Sequence, residues 1–261
     1  MTAAHRPVRA RTRACPHGGL AAVVAIVLLA AAACAPAPPA TEPTTTTTAP
    51  PNQQVPMEWW AVGDSLFAGY LDEPGAPAYL AGVHNVAVAG DTLVEVELDG
   101  VPQPTVRARI ASEIDEHGPP QRMLVHAGVA DLVARGFWGF NHPWTMFSEE
   151  IASLDAWLTG LGVEVWWVTL TPFTIWSVPA LGGQAELRRW INDWMRSNLG
   201  ERVIDCDPAL LDDRGWWADT RFVQSFDGVH VTERGATVHA GCISDRLALA
   251  GVDLPVVLPA G

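Results

Sequence analysis

Five short apolar segments alternate with amphipathic segments from residue 58 to about residue 250, and this alternation constrains the fold more than any other feature. Apolar residues recur with helical spacing between them, which predicts helices that end before Gly118, Gly162 and Gly200 and a last helix that begins after the N-cap Thr232. Because the apolar segments are hydrophobic on both faces, they suit a parallel sheet that helices cover on both sides. The sequence therefore predicts a three-layer α/β/α sandwich with right-handed crossovers and five parallel strands, at 59–62, 85–89, 123–126, 163–170 and 203–205.

Glycines and polar residues follow the first three predicted strands. Gly63-Asp64-Ser65-Leu66 follows the first strand, Gly90 follows the second, and Gly128-Val129-Ala130-Asp131 follows the third. In an open parallel sheet, ligands bind beyond the carboxyl ends of the strands, where the strand order reverses. The pattern therefore predicts one site that these segments form together.

Ser65 is the candidate nucleophile of that site. A serine hydroxyl reacts poorly unless a base removes its proton, and the segment after the last predicted strand supplies an acid and an imidazole three residues apart, Asp227 and His230. This spacing allows the carboxylate to orient one ring nitrogen while the other faces the serine. Alone, Ser65 would be interpreted as a turn residue or helix N-cap. With Asp227 and His230 present, the sequence predicts a Ser-His-Asp triad.

These motifs resemble the four sequence blocks of the GDSL or SGNH hydrolases, and the resemblance extends over roughly residues 57–250. It implies a flavodoxin-like strand order, 2-1-3-4-5, and an oxyanion hole that uses the backbone N–H groups of Ser65 and Gly90. The chain departs from the family at Ala130, where relatives have an asparagine that donates a third hydrogen bond.

The resemblance implies an exported serine-dependent hydrolase of lipid, short-chain or glycan esters, acting through an acyl-enzyme without a metal or organic cofactor. Two alternatives remain open. A cell-wall glycan O-acyltransferase would use the same triad with a sugar hydroxyl in place of water. A binding protein that has lost catalysis is the other, and Ala130 would be a sign of that loss.

Residues 1–34 are typical of an export signal, with four arginines and no acid before an apolar run that ends at Ala33. The residues around Cys34 resemble a lipobox, which predicts lipidation of Cys34 and attachment to the cell envelope. Ordinary cleavage after an Ala-x-Ala site, with secretion, and a retained membrane helix are the alternatives. The remaining predicted parts are a Pro/Thr-rich linker at 35–56, a catalytic domain at 57–252 and a C-terminal tail at 253–261.

Charge and amino-acid content limit which partners, reactions and bound groups are expected for this chain. The formal net charge is −13, which disfavours nucleic acid, and the absence of lysine excludes Schiff-base chemistry. In an exported domain, Cys206 and Cys242 are expected to form a disulfide rather than a metal site, because no Cys-x-x-Cys spacing accompanies them. We expect a monomer whose only membrane contact is the lipid on Cys34.

Other polar and aromatic residues near the strand ends have structural and functional interpretations. Asp64 and Asp131 are predicted to stabilise helix starts or loops, because each precedes or begins a helix. His126 is predicted to be structural, with a place at the pocket border as the alternative. The aromatic segments 137–140 with Trp144, and 172–173 with Trp176, either contact acyl chains or sugars or pack in the core.

Overall fold

A computed structural model describes residues 58–98, 101–138, 144–173, 184–224 and 227–257, without the side chains of 98 and 135–138. The predicted export signal at 1–34, the linker at 35–56 and Cys34 lie outside the described residues. Part of the predicted tail packs on the domain, since the Ala81 N–H donates to the Pro255 carbonyl and the Val257 N–H donates to the Tyr79 carbonyl, both at 2.9 Å.

Five strands form one parallel sheet, and two more form a small antiparallel pair. In chain order the strands are β1 (Trp59–Gly63), β2 (Val83–Asn85), β3 (Glu97–Leu98), β4 (Val101–Pro102), β5 (Arg122–His126), β6 (Glu164–Val168) and β7 (Val203–Ile204). The parallel sheet has the order β2-β1-β5-β6-β7, and β3 pairs with β4. Counting only the strands of the parallel sheet, this is the predicted order 2-1-3-4-5, which confirms the predicted fold class.

The register of the two central strands places their carboxyl ends side by side. Gly63 at the end of β1 is paired with His126 at the end of β5. Gly63 has a φ of +151°, and a Cβ atom on it would lie 1.9 Å from the His126 carbonyl oxygen. Only glycine fits this close approach, so the turn that leads to Ser65 begins at a position fixed by the neighbouring strand.

Helices connect the strands and cover the sheet. They are α1 (Ser65–Ala68), α2 (Val106–His117), α3 (Val129–Trp138), α4 (Thr145–Gly160), α5 (Gln184–Leu199), α6 (Asp207–Leu210) and α7 (Glu233–Leu249), with 3₁₀ turns at Ala76–Tyr79, Gly200–Arg202 and Thr220–Phe222. The Thr232 side chain accepts a hydrogen bond from the Gly235 N–H and caps α7, as predicted. Within the described ranges, no helix is both long enough and apolar enough to cross a membrane.

One hydrophobic core joins the sheet to the helices. Every residue of β1 is buried. The core also contains residues from the helices that connect or follow the strands: Ile110 of α2, Leu154 of α4, Ile191 of α5 and Ile243 of α7. The strands are therefore apolar on both faces because helices cover both faces.

The second strand lies earlier in the chain than the sequence predicts. The prediction was 85–89, whereas β2 ends at Asn85. The Asn85 side chain donates to the Phe67 carbonyl at 2.8 Å and accepts from the Ala87 N–H at 3.2 Å, which turns the chain out of regular pairing. The Val86 and Val88 N–H groups still donate to carbonyls of β1. The apolar residues on which the prediction rested therefore run beside β1, but they lie beyond the end of β2. The fourth strand is likewise shorter than predicted, since β6 ends at Val168.

The predicted disulfide is present. Cys206, just after β7, is bonded to Cys242 in α7, with their Cα atoms 5.8 Å apart. The bond therefore joins the last strand to the last helix, and the loop between these elements carries Asp227 and His230.

Candidate active site

Ser65, His230 and Asp227 form a hydrogen-bonded chain at the carboxyl ends of the strands. The distance from Ser65 Oγ to His230 Nε2 is 2.8 Å, and the distance from His230 Nδ1 to Asp227 Oδ2 is 2.7 Å. Nucleophile and base are within hydrogen-bond reach, and a third group orients the base. The structure thus brings together the three residues that the sequence motifs singled out, in the arrangement that a serine nucleophile needs.

The loop that carries His230 is shaped by the acid that orients it. Asp227 Oδ1 accepts hydrogen bonds from the Val229 N–H at 2.8 Å and the His230 N–H at 3.1 Å. Gly228 between them has a φ of +68°. One carboxylate oxygen therefore builds the turn while the other holds the imidazole, which explains why three-residue spacing suffices.

Asp64 connects the nucleophile turn to the start of α3. It is fully buried. One carboxylate oxygen caps α1 by accepting from the Leu66 N–H at 3.1 Å, and the other accepts from the Val129 N–H at 2.9 Å and the Ala130 N–H at 3.2 Å. The structure confirms that Asp64 stabilises helix starts, and it shows that one carboxylate serves two helices at once.

Two backbone donors are available for an oxyanion. Across the described part of the chain, neither the Ser65 N–H nor the Gly90 N–H donates a hydrogen bond to another residue. Gly90 has a φ of +91°, a conformation that favours glycine. Ala130 is half-buried at the position of the family asparagine, and its own N–H is bonded to Asp64. A methyl side chain has no hydrogen-bond donor, so it contributes none to this group.

Asp131 holds the loop that follows Gly90. Its carboxylate accepts from the Leu93 N–H at 2.8 Å and the Val94 N–H at 2.9 Å. Burial raises the pKa of Asp131 to about 7, against the opposing effect of these two N–H donors. The same loop carries Asp91, whose carboxylate accepts a hydrogen bond from Arg109 Nε at 3.3 Å. As predicted, Asp131 stabilises a loop, and the loop it stabilises is the one that presents the Gly90 N–H.

His126 is a structural residue of the interior. Its side chain is fully buried, stacks on Phe67 with ring centroids 5.1 Å apart, and accepts a hydrogen bond from the Thr171 N–H through Nε2. The neighbouring His239 is also fully buried, and burial lowers its pKa well below the usual value. The alternative in which His126 borders the pocket is therefore wrong. In the parts of the chain that the structure describes, no cluster of three or more His, Cys, Asp or Glu residues is arranged to hold a metal ion.

The two aromatic segments have different outcomes where the structure describes them. Phe173 is buried in the core. Trp144 is half-exposed and packs edge-on against Trp190, with ring centroids 5.0 Å apart. The side chains of 137 and 138, residues 139–143 and Trp176 lie outside the described atoms.

Sequence reasoning missed one aromatic contact in the site. The Tyr70 ring stacks on His230, with ring centroids 3.7 Å apart. Neither helical nor strand periodicity identifies this pair, because Tyr70 lies in an irregular turn after α1 and its partner lies near the other end of the domain. An aromatic residue shortly after a predicted nucleophile is the only available signal, and it is a weak one.

Comparison with known proteins identifies solved structures that have a similar fold. No protein-family model matches the chain, and no curated protein matches its sequence. Similar solved structures include a lipase/acylhydrolase from Enterococcus faecalis, with 18% identity, a TM-score of 0.54, and coverage of 77% of this chain and 100% of that chain. A GDSL-like lipase from Bacteroides thetaiotaomicron has 14% identity, a TM-score of 0.53, and coverage of 74% and 89%. A member of the lipolytic protein G-D-S-L family from Veillonella parvula has 18% identity, a TM-score of 0.50, and coverage of 71% and 95%.

The fold and the site together define the general class of this chain: it is an α/β sandwich in which a serine, a histidine and an acid are in hydrogen-bond contact. Within that class, the structural neighbours are GDSL lipolytic proteins, so the chain has the GDSL/SGNH hydrolase fold that its motifs predicted. At these identities the likeness establishes the fold, and function has to be argued from the site itself.

Proposed function

We propose that the protein is a serine-dependent ester hydrolase that acts through a covalent acyl-enzyme. The observation that carries the proposal is the pair of short contacts that links Ser65 Oγ, His230 and Asp227. A serine held 2.8 Å from an imidazole whose far nitrogen faces a carboxylate is arranged for proton transfer during acyl transfer.

The reaction begins when Ser65 Oγ attacks the ester carbonyl carbon and His230 Nε2 takes the serine proton. Asp227 stabilises the imidazolium that forms, without becoming protonated itself. The tetrahedral intermediate collapses, the C–O bond to the alcohol breaks, and the alcohol leaves with the proton from His230. Water then attacks the acyl-enzyme with His230 as the base again, which releases the acid and restores the serine.

The negative charge on the former carbonyl oxygen needs donors. The Ser65 and Gly90 N–H groups supply two in this proposal, and Ala130 supplies none. A hole with two donors in place of three gives a weaker but competent enzyme.

A fluorophosphonate probe tests the proposal directly. We expect the wild-type domain to be labelled at Ser65, as located by mass spectrometry, and to hydrolyse a short aryl ester. Ser65→Ala should abolish both. Ser148→Ala is the control, because the Ser148 hydroxyl donates to the Thr145 carbonyl within α4 and takes no part in the triad. A wild-type domain that is folded, unlabelled and inactive on aryl esters would refute the proposal in favour of a binding protein.

Product analysis then identifies the acyl acceptor. With water as the acceptor, release of free acid is unaffected by added glycan. If acyl groups instead accumulate on an added sugar hydroxyl at the expense of free acid, the same triad is that of an O-acyltransferase.

Export is part of the proposal. The arginine-rich, apolar segment 1–34 would direct the chain out of the cytoplasm, and a lipid on Cys34 would retain it at the envelope. The proline- and threonine-rich segment 35–56 would then act as a tether that holds the hydrolase away from the membrane surface.

A further inference from the structure

The face of the His230 imidazole is covered by an aromatic ring. The Tyr70 ring lies nearly parallel to it, with an interplanar angle of 10° and ring centroids 3.7 Å apart. Both nitrogen atoms of His230 are already engaged in the plane of the ring, one by Asp227 and the other by Ser65. Tyr70 therefore leaves the in-plane hydrogen bonds intact while it blocks tilting of the imidazole out of that plane.

Tyr70 is held at this place by the turn that ends α1. The Gly69 N–H donates to the Ser65 carbonyl at 2.9 Å, and Tyr70 and Glu73 exchange two backbone hydrogen bonds, at 2.9 and 3.2 Å. Leu71, within that turn, has a φ of +56°, which is uncommon for a residue with a side chain. The nucleophile and the stacking ring thus belong to one short segment whose backbone is bonded to itself.

The same turn is tied to the loop that carries His230. The Gln224 side-chain amide donates to the Tyr70 carbonyl at 3.5 Å, while the Gln224 N–H donates to the His230 carbonyl at 2.8 Å. On the other side of His230, the Glu233 N–H donates to the Glu73 carboxylate at 2.6 Å. Hydrogen bonds on both sides of His230 therefore set the distance between the two rings.

The stack also suits the charge that His230 carries during the reaction. When His230 takes the serine proton it becomes cationic, and a cation is attracted to the face of an aromatic ring. Burial and then the negative charge of Asp227 raise the pKa of Tyr70 above its usual value, so the phenol stays neutral at neutral pH. In the described part of the chain, Asp227 and Ser65 face the imidazole edges and Tyr70 faces its plane, while Glu73 ends the turn and bonds to the N–H of Glu233 at the start of α7.

We propose that Tyr70 is a positioning residue of this site: its stacked ring holds His230 in the plane shared by Ser65 and Asp227 and stabilises the protonated imidazole. The inference rests on the proposed hydrolase function, because it assigns Tyr70 a part in that proton transfer.

Comparison of Tyr70→Phe with Tyr70→Leu tests it. Phenylalanine keeps the ring face, so kcat on an aryl ester should stay within about threefold of wild type. Leucine removes the ring, so kcat should fall by about tenfold or more while KM changes by less than about twofold. The acid side of the pH profile of kcat/KM should move to lower pH in Tyr70→Leu and remain in place in Tyr70→Phe, because a less stabilised imidazolium loses its proton at lower pH.

A spectroscopic measurement separates failure of this inference from failure of the proposed function. In the wild type, the hydrogen-bonded Nδ1 proton of His230 should give a strongly deshielded NMR signal that needs no substrate. That signal should broaden or disappear in Tyr70→Leu but persist in Tyr70→Phe. If the wild type neither reacts with the fluorophosphonate nor cleaves esters, the hydrolase proposal fails, and the Nδ1 signal still decides whether Tyr70 positions His230. Wild-type kcat, pH profile and Nδ1 signal in Tyr70→Leu would overturn the inference. Tyr70→Met, a second side chain without a ring, replaces Tyr70→Leu if that variant does not fold.

Discussion

Asp131 accepts a hydrogen bond from the Leu93 N–H at 2.8 Å, across 38 positions of sequence. This contact joins the first turn of α3 to the loop that follows Gly90. The residue that directly precedes Asp131 is Ala130, whose N–H is bonded to Asp64. Two adjacent residues of α3 are therefore connected to the two segments that supply the proposed oxyanion donors, and α3 determines how far apart those segments lie.

The first prediction concerns the pH dependence of stability. The pKa of Asp131 is raised to about 7 by burial, so the folded protein binds this proton more tightly than the unfolded chain does. Its contribution to stability is complete below about pH 4 and is lost as the pH rises to about 7. Asp131→Asn cannot ionise, and its deficit in free energy of unfolding relative to wild type should shrink by up to about 3 kcal/mol between pH 4 and pH 7.

Urea unfolding of both proteins at several pH values measures this difference. Asp115→Asn, at an exposed position of α2, is the control for a charge-removing substitution. A deficit that is the same at pH 4 and pH 7 would mean that Asp131 is ionised throughout, with its two N–H donors outweighing burial.

The second prediction concerns the triad. Ser65→Ala and His230→Ala should each lower kcat on an aryl ester by about 10³-fold or more, and the double variant should be little worse than either, because triad members act as one unit. Asp227→Asn should lower kcat by less than either single variant. Steady-state kinetics with His117→Ala as the control, a histidine beside Glu113 on α2, provide the measurement. Additive losses in the double variant would show that Ser65 and His230 do not work together.

The third prediction concerns Ala130. Ala130→Asn should raise kcat by up to about 10²-fold, because a side-chain amide adds a donor to a hole that has two. Ala130 is half-buried rather than fully enclosed. Ala130→Leu adds similar bulk without a donor and should not raise kcat. If Ala130→Asn is folded but no faster, another donor already fills the position. The sequence offers two side-chain N–H donors shortly after Ala130, Trp138 and Asn141, and Trp138→Phe and Asn141→Ala would show which of them it is.

The fourth prediction concerns the disulfide. The Cys206–Cys242 bond closes a loop of 36 residues, so the double variant Cys206→Ala/Cys242→Ala should lose roughly 3 to 4 kcal/mol of unfolding free energy on a chain-entropy estimate. Urea unfolding measures the loss, and reduction of the wild type should reproduce it. Alkylation of both cysteines in unfolded, non-reduced protein would show that the bond does not form in solution.

The fifth prediction concerns Cys34. In a host that processes bacterial lipoproteins, the full chain should fractionate with membranes, and Cys34→Ser should be released in soluble form. The measurement is an immunoblot of membrane and soluble fractions. Equal release of both forms would replace lipidation with ordinary cleavage at the Ala-x-Ala site.

The parts of the fold that follow from burial were predictable. β1 and β5 are buried on both faces, and such strands produce apolar segments with clear ends. β2 was misplaced because it pairs with β1 alone, so its apolar residues extend past the point where Asn85 turns the chain. An edge strand pairs on one side only, so fewer hydrogen bonds determine where it ends. A sequence pattern shows which residues are apolar, but it does not show which residues are paired.

Some residues of the candidate site could likewise be predicted from the sequence, and others could not. Ser65, Asp227 and His230 were predictable because each has a chemical role that few residue types can fill. Tyr70 was not, since its contact depends on a turn with an uncommon backbone conformation at Leu71 and on a glutamine that reaches it from the other end of the domain. Contacts of this kind depend on how distant segments close on each other, and a single sequence carries no pattern for that.

The contact between Ser65 and His230 spans 165 positions of sequence, nearly the whole length of the folded domain. Ser65 is synthesised 165 positions before His230, so a partly synthesised chain holds a serine without its activating partner. Under the proposed function, the domain could cleave esters only after the segment that carries His230 has docked, and until then the chain carries an inert hydroxyl. The onset of ester cleavage would then coincide with the completion of folding, and the appearance of activity over time would measure the rate of the last folding step.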